Sequence, residues 1–170
     1  MPVRVLGEDG GSVWDIAAGI RYAVDNGAHV INLSLGGDLP SPTIASAIQY
    51  AAERNVAIAI AAGNSGGSTP LPPADLATTW GIAVGAVDLQ GNVPSFSNRA
   101  GSVPLDYVVA PGVSVYSTLP NQGYGFLSGT SMATPHVAGV AALVRSANPY
   151  LTAAEVEHLV ATTANAALVA

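Results

Sequence analysis

The sequence predicts an α/β protein built on an open, mainly parallel sheet flanked by helices on both faces. Short β-type runs alternate along the chain with stretches of helical periodicity, the pattern of strands joined by crossover helices. One run, Val56-Ala57-Ile58-Ala59-Ile60-Ala61-Ala62, is apolar at every position, which suits a strand covered on both sides. The 170 residues are 49% hydrophobic and only 9% charged, enough apolar material for one sizeable core and too much for a disordered chain. No repeat, low-complexity tract or linker divides the chain, so residues 1–170 read as a single domain.

Taken in order, residues 3–6 (Val-Arg-Val-Leu) form a short β-type run. Residues 13–26 follow with Ile16, Ala17, Ile20, Ala23 and Val24 at helical spacing, Ser12 as N-cap and Gly27 as stop. Residues 29–35 are a strand ended by Gly36-Gly37, and a second helix runs from Pro42 or Thr43 to Arg54. The all-apolar strand 56–62 ends at Gly63-Asn64, and residues 65–79 are a polar, Pro-rich loop. Strands follow at 81–87 and at 106–110, the latter closed by Pro111-Gly112. Residues 113–128 read as a hairpin turning at Pro120-Asn121-Gln122-Gly123. A helix then runs to about Ala147, and Thr152 with Glu155 is a capping-box pattern for a last helix over 153–163.

Bulk properties exclude several classes of function. The net charge is −6 and the five basic residues are all Arg without clustering, which argues against nucleic acid. No apolar run reaches the ~18–20 residues of a membrane span. The first residues have the wrong shape for a signal peptide. There is no cysteine, hence neither disulfides nor thiol chemistry. No His/Cys cluster or dense carboxylate loop has metal-ligand spacing, so zinc is excluded.

The stretch around which the chain is organised is Gly129-Thr130-Ser131-Met132-Ala133-Thr134-Pro135-His136-Val137-Ala138-Gly139. A glycine, hydroxyl residues and a proline before an apolar run read as a tight turn feeding a buried helix, with Thr130 or Ser131 as its cap. Ser131 then sits where unpaired N–H groups and the helix dipole favour negative charge. Locally it is either a cap or a nucleophile whose reaction builds an oxyanion. Asn64, at a strand's carboxyl end, is either a turn residue or a second oxyanion donor.

The eleven-residue string resembles the nucleophile motif of the subtilisin-like serine proteases, the subtilases. The resemblance implies a subtilisin-like fold and hydrolysis of peptide bonds through an acyl-enzyme on Ser131, with Asn64 in the oxyanion hole. It implies that Ser34, Leu35 and Gly36 line one wall of a primary specificity pocket and Ala61, Ala62 and Gly63 the other, where a polypeptide substrate lies extended. Strand termination explains the same glycines without a pocket. If the pocket exists, small residues on both walls predict a roomy one that prefers large apolar side chains.

A base and an acid are harder to find. His136 is five residues beyond Ser131, about 140° round the helix, and is structural in the resembled motif. His29 begins a strand at the end away from the expected site, and His158 sits on the last helix. Asp88 reads as a turn residue with Gly91-Asn92, and Asp106 falls in a family segment that does not carry the acid. The family's Asp-Thr-Gly (or Asp-Ser-Gly) and His-Gly-Thr-His motifs do not occur. The chain therefore resembles the C-terminal portion of a subtilase catalytic domain, its N-terminal strands missing, and is expected to be inactive alone. Its implied partners are the missing N-terminal part and, through exposed strand edges, other copies of itself. The alternative is a non-catalytic peptide-binding or remnant fragment. No cofactor is expected. Calcium, a secreted or extracytoplasmic location, and a cis bond near Pro72-Pro73-Ala74 enter through the resemblance alone.

Overall fold

The computed structural model describes residues 1–165. Among them, the central sheet has four strands, β1 (Val30–Leu33), β2 (Ala57–Ala61), β3 (Ile82–Val87) and β4 (Tyr107–Pro111), all parallel and neighbours in chain order. Leu33 pairs with Ile60, Ala61 with Val84 and Val87 with Pro111, so the carboxyl ends gather along one side. Ligand sites in open α/β sheets collect beyond such ends.

The alternation along β2 explains the two-sided burial. Ile58 and Ile60 face one core with Ile16 and Ile20 of α1 (Val13–Asp25) and Ile44 and Ile48 of α2 (Pro42–Glu53). Ala57 and Ala59 face the other, with Ala133, Val137 and Ala141 of α3 (Thr130–Ala147) and Val156 and Val160 of α4 (Ala153–Thr163). Side chains of period two thus supply both layers from one strand. The alanines leave room for α3 to approach the sheet. The expected hairpin is present as β5 (Val115–Leu119) paired antiparallel with β6 (Gly123–Leu127). Ser12 caps α1, accepting from Asp15 N at 3.1 Å. Thr152 and Glu155 form the expected capping box.

Two expectations require correction. Residues 3–6 form no strand among the described residues; Val3 and Val5 instead pack against the α1 and α2 core, and the local pairing is one bridge between Gly7 and Gly10. A β-type run becomes a strand only where a neighbour offers its backbone groups. Nor is α3 buried all round: Val140 is 47% and Leu143 71% exposed. Beside it, a cleft of about 750 Å³ runs between Val3, Ile16 and Ile20, the outer edge of β1, and Ala138 and Ala142 of α3. Among the described residues the outer edge of β1 is unpaired, and it opens onto apolar side chains.

Opposite the carboxyl ends, Glu157 of α4 is 4% exposed. Its Oε1 accepts from Ile58 N at 2.9 Å and its Oε2 from Gly81 N at 3.1 Å, tying α4 to the entrances of β2 and β3. Burial, with a smaller contribution from the Asp106 carboxylate, pushes the Glu157 carboxyl up to about 7 against the opposing pull of those two N–H groups. Asp106 itself lies 3.5 Å from His158 Nδ1. A carboxyl raised in the folded state favours folding fully below its unfolded value and loses that contribution as pH rises to the folded one. The difference in unfolding free energy between the protein and E157Q should therefore shift between about pH 4.5 and 7, by up to about 3 kcal/mol, with the wild type losing ground as pH rises. Denaturant titrations across that range measure it; a pH-independent difference contradicts the assignment.

Candidate active site

Proline is the first cause of the site's geometry. Pro135 lies inside α3 and has no N–H, so the carbonyl of Ser131, four residues back, loses its helical donor. Ser34, just past the end of β1, fills that position: its Oγ donates to Ser131 O at 2.8 Å. In return Ser131 Oγ lies 3.5 Å from Ser34 O, the limit of a weak hydrogen bond. A break in the helix ladder thus couples the proposed nucleophile to the tip of β1.

The cap of α3 differs from the sequence expectation. Neither Thr130 nor Ser131 occupies the N-cap; Gly129 does, and it has no side chain to offer. The cap comes from another element. Asn64 Oδ1 accepts from Thr130 N at 2.8 Å and from Thr130 Oγ1 at 3.0 Å. Thr130 Oγ1, fully buried, accepts in turn from Gly63 N at 3.2 Å. Because a backbone N–H can only donate, the Asn64 oxygen must face Thr130, which turns its Nδ2 outward. A Cβ at Gly129 would lie 3.3 Å from that Nδ2, so a larger residue there would crowd the amide. Among the described residues, neither Asn64 Nδ2 nor Ser131 N–H has a hydrogen-bond partner. Two free donors are thus carried on adjoining parts of one contact, one on the Asn64 side chain bonded to Thr130 and one on the backbone of Ser131, the next residue.

The loop bearing Asn64 is held by Asn98, a fully buried residue that sequence reasoning missed. Its Oδ1 accepts from Ser65 N, Ser65 Oγ and Gly67 N at 3.0–3.1 Å, and its Nδ2 donates to Thr69 O at 2.9 Å. Asn98 N also donates to Gly63 O at 3.1 Å. Only the polar loop around it hints at this role, since a single Asn has no local signature of burial.

The two expected walls flank the start of α3. Ser34 and Leu35 are half-buried and Gly36 exposed, after β1. Ala61 and Ala62 are buried and Gly63 half-buried, at the end of β2. The segment at Leu71 and Pro72 joins them: Leu71 N donates to Ala62 O at 2.8 Å and Gly37 N to Pro72 O at 3.0 Å. The bond between Pro72 and Pro73 is cis.

No histidine or aspartate is bonded to Ser131 among the described residues. His136 borders the same 410 Å³ cleft as Ser131, between α3 and the β5–β6 hairpin, but its Nδ1 lies 3.0 Å from Met132 O. His29 immediately precedes β1 and His158 faces Asp106, both at the far ends of the strands. Asp88 accepts from the Asn92 side-chain amide and from the backbone N–H groups of Asn92 and Gln90, and these bonds, the amide's first, hold its carboxyl below the usual range. It is a turn residue. Among the described residues, no group of three or more His, Cys, Asp or Glu converges on one point. No described helix is long and apolar enough to cross a membrane.

A parallel sheet with α3 packed on one face, its second residue a serine and its start capped by an asparagine from the end of β2, defines a class of protein. The sequence profile of the subtilase family matches residues 1–169, and the chain belongs to that family. It is 49% identical over 148 residues to subtilisin BL of Lederbergia lenta, covering 86% of this chain and 53% of that protein. It is 50% identical to the M-protease of Shouchella clausii, with 86% of this chain and 38% of that protein covered. Among solved structures, a cold-adapted subtilisin-like serine proteinase superposes with a TM-score of 0.84 at 38% identity, over 95% of this chain and 58% of the other. A protease from Pseudoalteromonas arctica gives 0.88 at 36% identity, over 98% and 56%. The chain thus spans about half the length of several of these relatives, and less of the M-protease.

Proposed function

We propose that this chain carries the nucleophile and oxyanion-binding half of a serine endopeptidase. Ser131 Oγ attacks the carbonyl of a peptide bond, the tetrahedral oxyanion is held by Ser131 N–H and Asn64 Nδ2, and collapse expels the amine to leave an acyl-enzyme that water hydrolyses. A polypeptide substrate lies extended between Ser34, Leu35 and Gly36 on one side and Ala61, Ala62 and Gly63 on the other. The observation that carries this reading is the Asn64–Thr130 bond, which turns Asn64 Nδ2 outward at the residue just before Ser131.

The same geometry supports the view that the chain alone is inactive. Attack requires a base for the Ser131 proton and a group to orient that base, and no described His or Asp fills either role. We assign both to an N-terminal catalytic-domain segment, on this chain or a second one. The cleft beside Ser131 leaves room for the base, and the open edge of β1 for a strand. By family resemblance the protein acts outside the cytoplasm. The second reading, a non-catalytic peptide-binding or remnant fragment, is favoured by the absence of any such base on the described residues.

Labelling with a fluorophosphonate decides between them. The chain alone should not react. Mixed with an N-terminal subtilase fragment carrying the Asp and His motifs, it should be labelled at Ser131 and not in S131A. In that complex N64A should lower kcat by about 10²–10³, a magnitude established on subtilisin itself. Labelling of the chain alone contradicts the missing-base argument, and no labelling of the mixture favours the remnant. Without the fragment, the unpaired β1 edge should pair with other copies. Sedimentation velocity should show association that rises with concentration; a monomer throughout contradicts it.

A further inference from the structure

Leu71 is the one large side chain of the short segment stitched between the two walls. Its backbone N–H is bonded to Ala62 of one wall, and the next residue's carbonyl to Gly37 beyond the other. Its isobutyl group lies directly over Gly63: a Cβ built there would stand 2.9 Å from Leu71 Cδ1 and 3.0 Å from its Cγ. Gly63, at φ 108°, is thus required both for its backbone angle and for the space Leu71 takes. At Gly36 a Cβ would be 3.1 Å from Pro72 O, so the segment closes on that wall too. Pro70 and Pro72 restrict the backbone on either side, Leu71 included, because a residue before proline is confined to extended angles.

The walls by themselves are small residues and leave room for a large apolar group. Leu71, packed over Gly63, belongs to the segment that joins those walls. Its own backbone bonds and flanking prolines prevent it from swinging aside with its segment. From this geometry we infer that Leu71 is a specificity-determining residue, the floor of the pocket between Ser34–Gly36 and Ala61–Gly63, and that it restricts the pocket to small apolar side chains such as alanine. This reverses the preference that the wall residues alone predict. It rests on the proposed function insofar as the pocket is taken to bind peptide.

Binding of product-like peptides tests it without requiring catalysis. N-acetyl tetrapeptides identical except for a C-terminal Ala or Phe are titrated into ¹⁵N-labelled chain, and into L71A and L71G, with amide shifts followed at Ser34, Leu35, Gly36, Ala61, Ala62 and Gly63. The wild type should bind the Ala peptide more tightly. Both variants should shift the Phe/Ala affinity ratio toward Phe by tenfold or more, the scale of a few methylenes of pocket depth. Dispersed spectra of L71A and L71G exclude unfolding; if L71G does not fold, L71A carries the test. A wild type that prefers Phe, or variants that leave the ratio unchanged, overturns the role of Leu71 while leaving the peptide site standing. Failure of both peptides to move these amides in any of the three proteins overturns the peptide site and the inference with it.

Discussion

The structure depends on one shared polar contact between the end of β2 and the start of α3. Thr130 is fully buried, and its hydroxyl must be satisfied. It accepts from Gly63 N and donates to Asn64 Oδ1, while its N–H donates to the same oxygen. A helix start without a cap of its own is thereby capped from a neighbouring strand tip. The same bonds fix which end of the Asn64 amide points outward. Packing, capping and the orientation of the proposed oxyanion donor are consequences of one arrangement, so the candidate site cannot be loosened without loosening the fold locally.

The rest of the molecule supports that contact from three directions. Pro135 frees the Ser131 carbonyl, and Ser34 ties it to β1. Asn98 gathers the backbone of Ser65 and Gly67 and fixes the loop behind Asn64. The Leu71–Pro72 segment joins the tips of β1 and β2. Away from the site the cover is thinner. Among the described residues the outer edge of β1 has no strand partner, and Val140 and Leu143 on α3 face outward. These are positions where a central strand and helix of an α/β domain are normally covered on both sides.

Most of the fold was legible in the sequence because it rests on local signals. The apolar alternation of β2, the helical spacing of α1 and the Thr152–Glu155 capping box each depend on residues close in the chain, and each element formed where its signal lay. The run at residues 3–6 has the right composition for a strand but no described neighbour to pair with, and pairing is not a local property. The cap of α3 was misread for the same reason: hydroxyl residues at a helix start suggest a self-made cap, whereas the acceptor came from 66 residues earlier. Ser131 and Asn64 were singled out as candidates through a long motif and a strand-end asparagine. Thr130, Asn98 and Leu71 were not, since their roles come from burial and long-range contact. Leu71 left one clue, a large apolar residue isolated among prolines in a polar loop.

The most direct measurement is a double-mutant cycle on Asn64 and Thr130. Unfolding free energies of the wild type, N64A, T130V and the double variant isolate the coupling between the amide oxygen and the hydroxyl. The account predicts a favourable coupling of about 1 kcal/mol or more, as for contacting groups that share a buried polar network. Additive losses, with no coupling beyond experimental error, would contradict it.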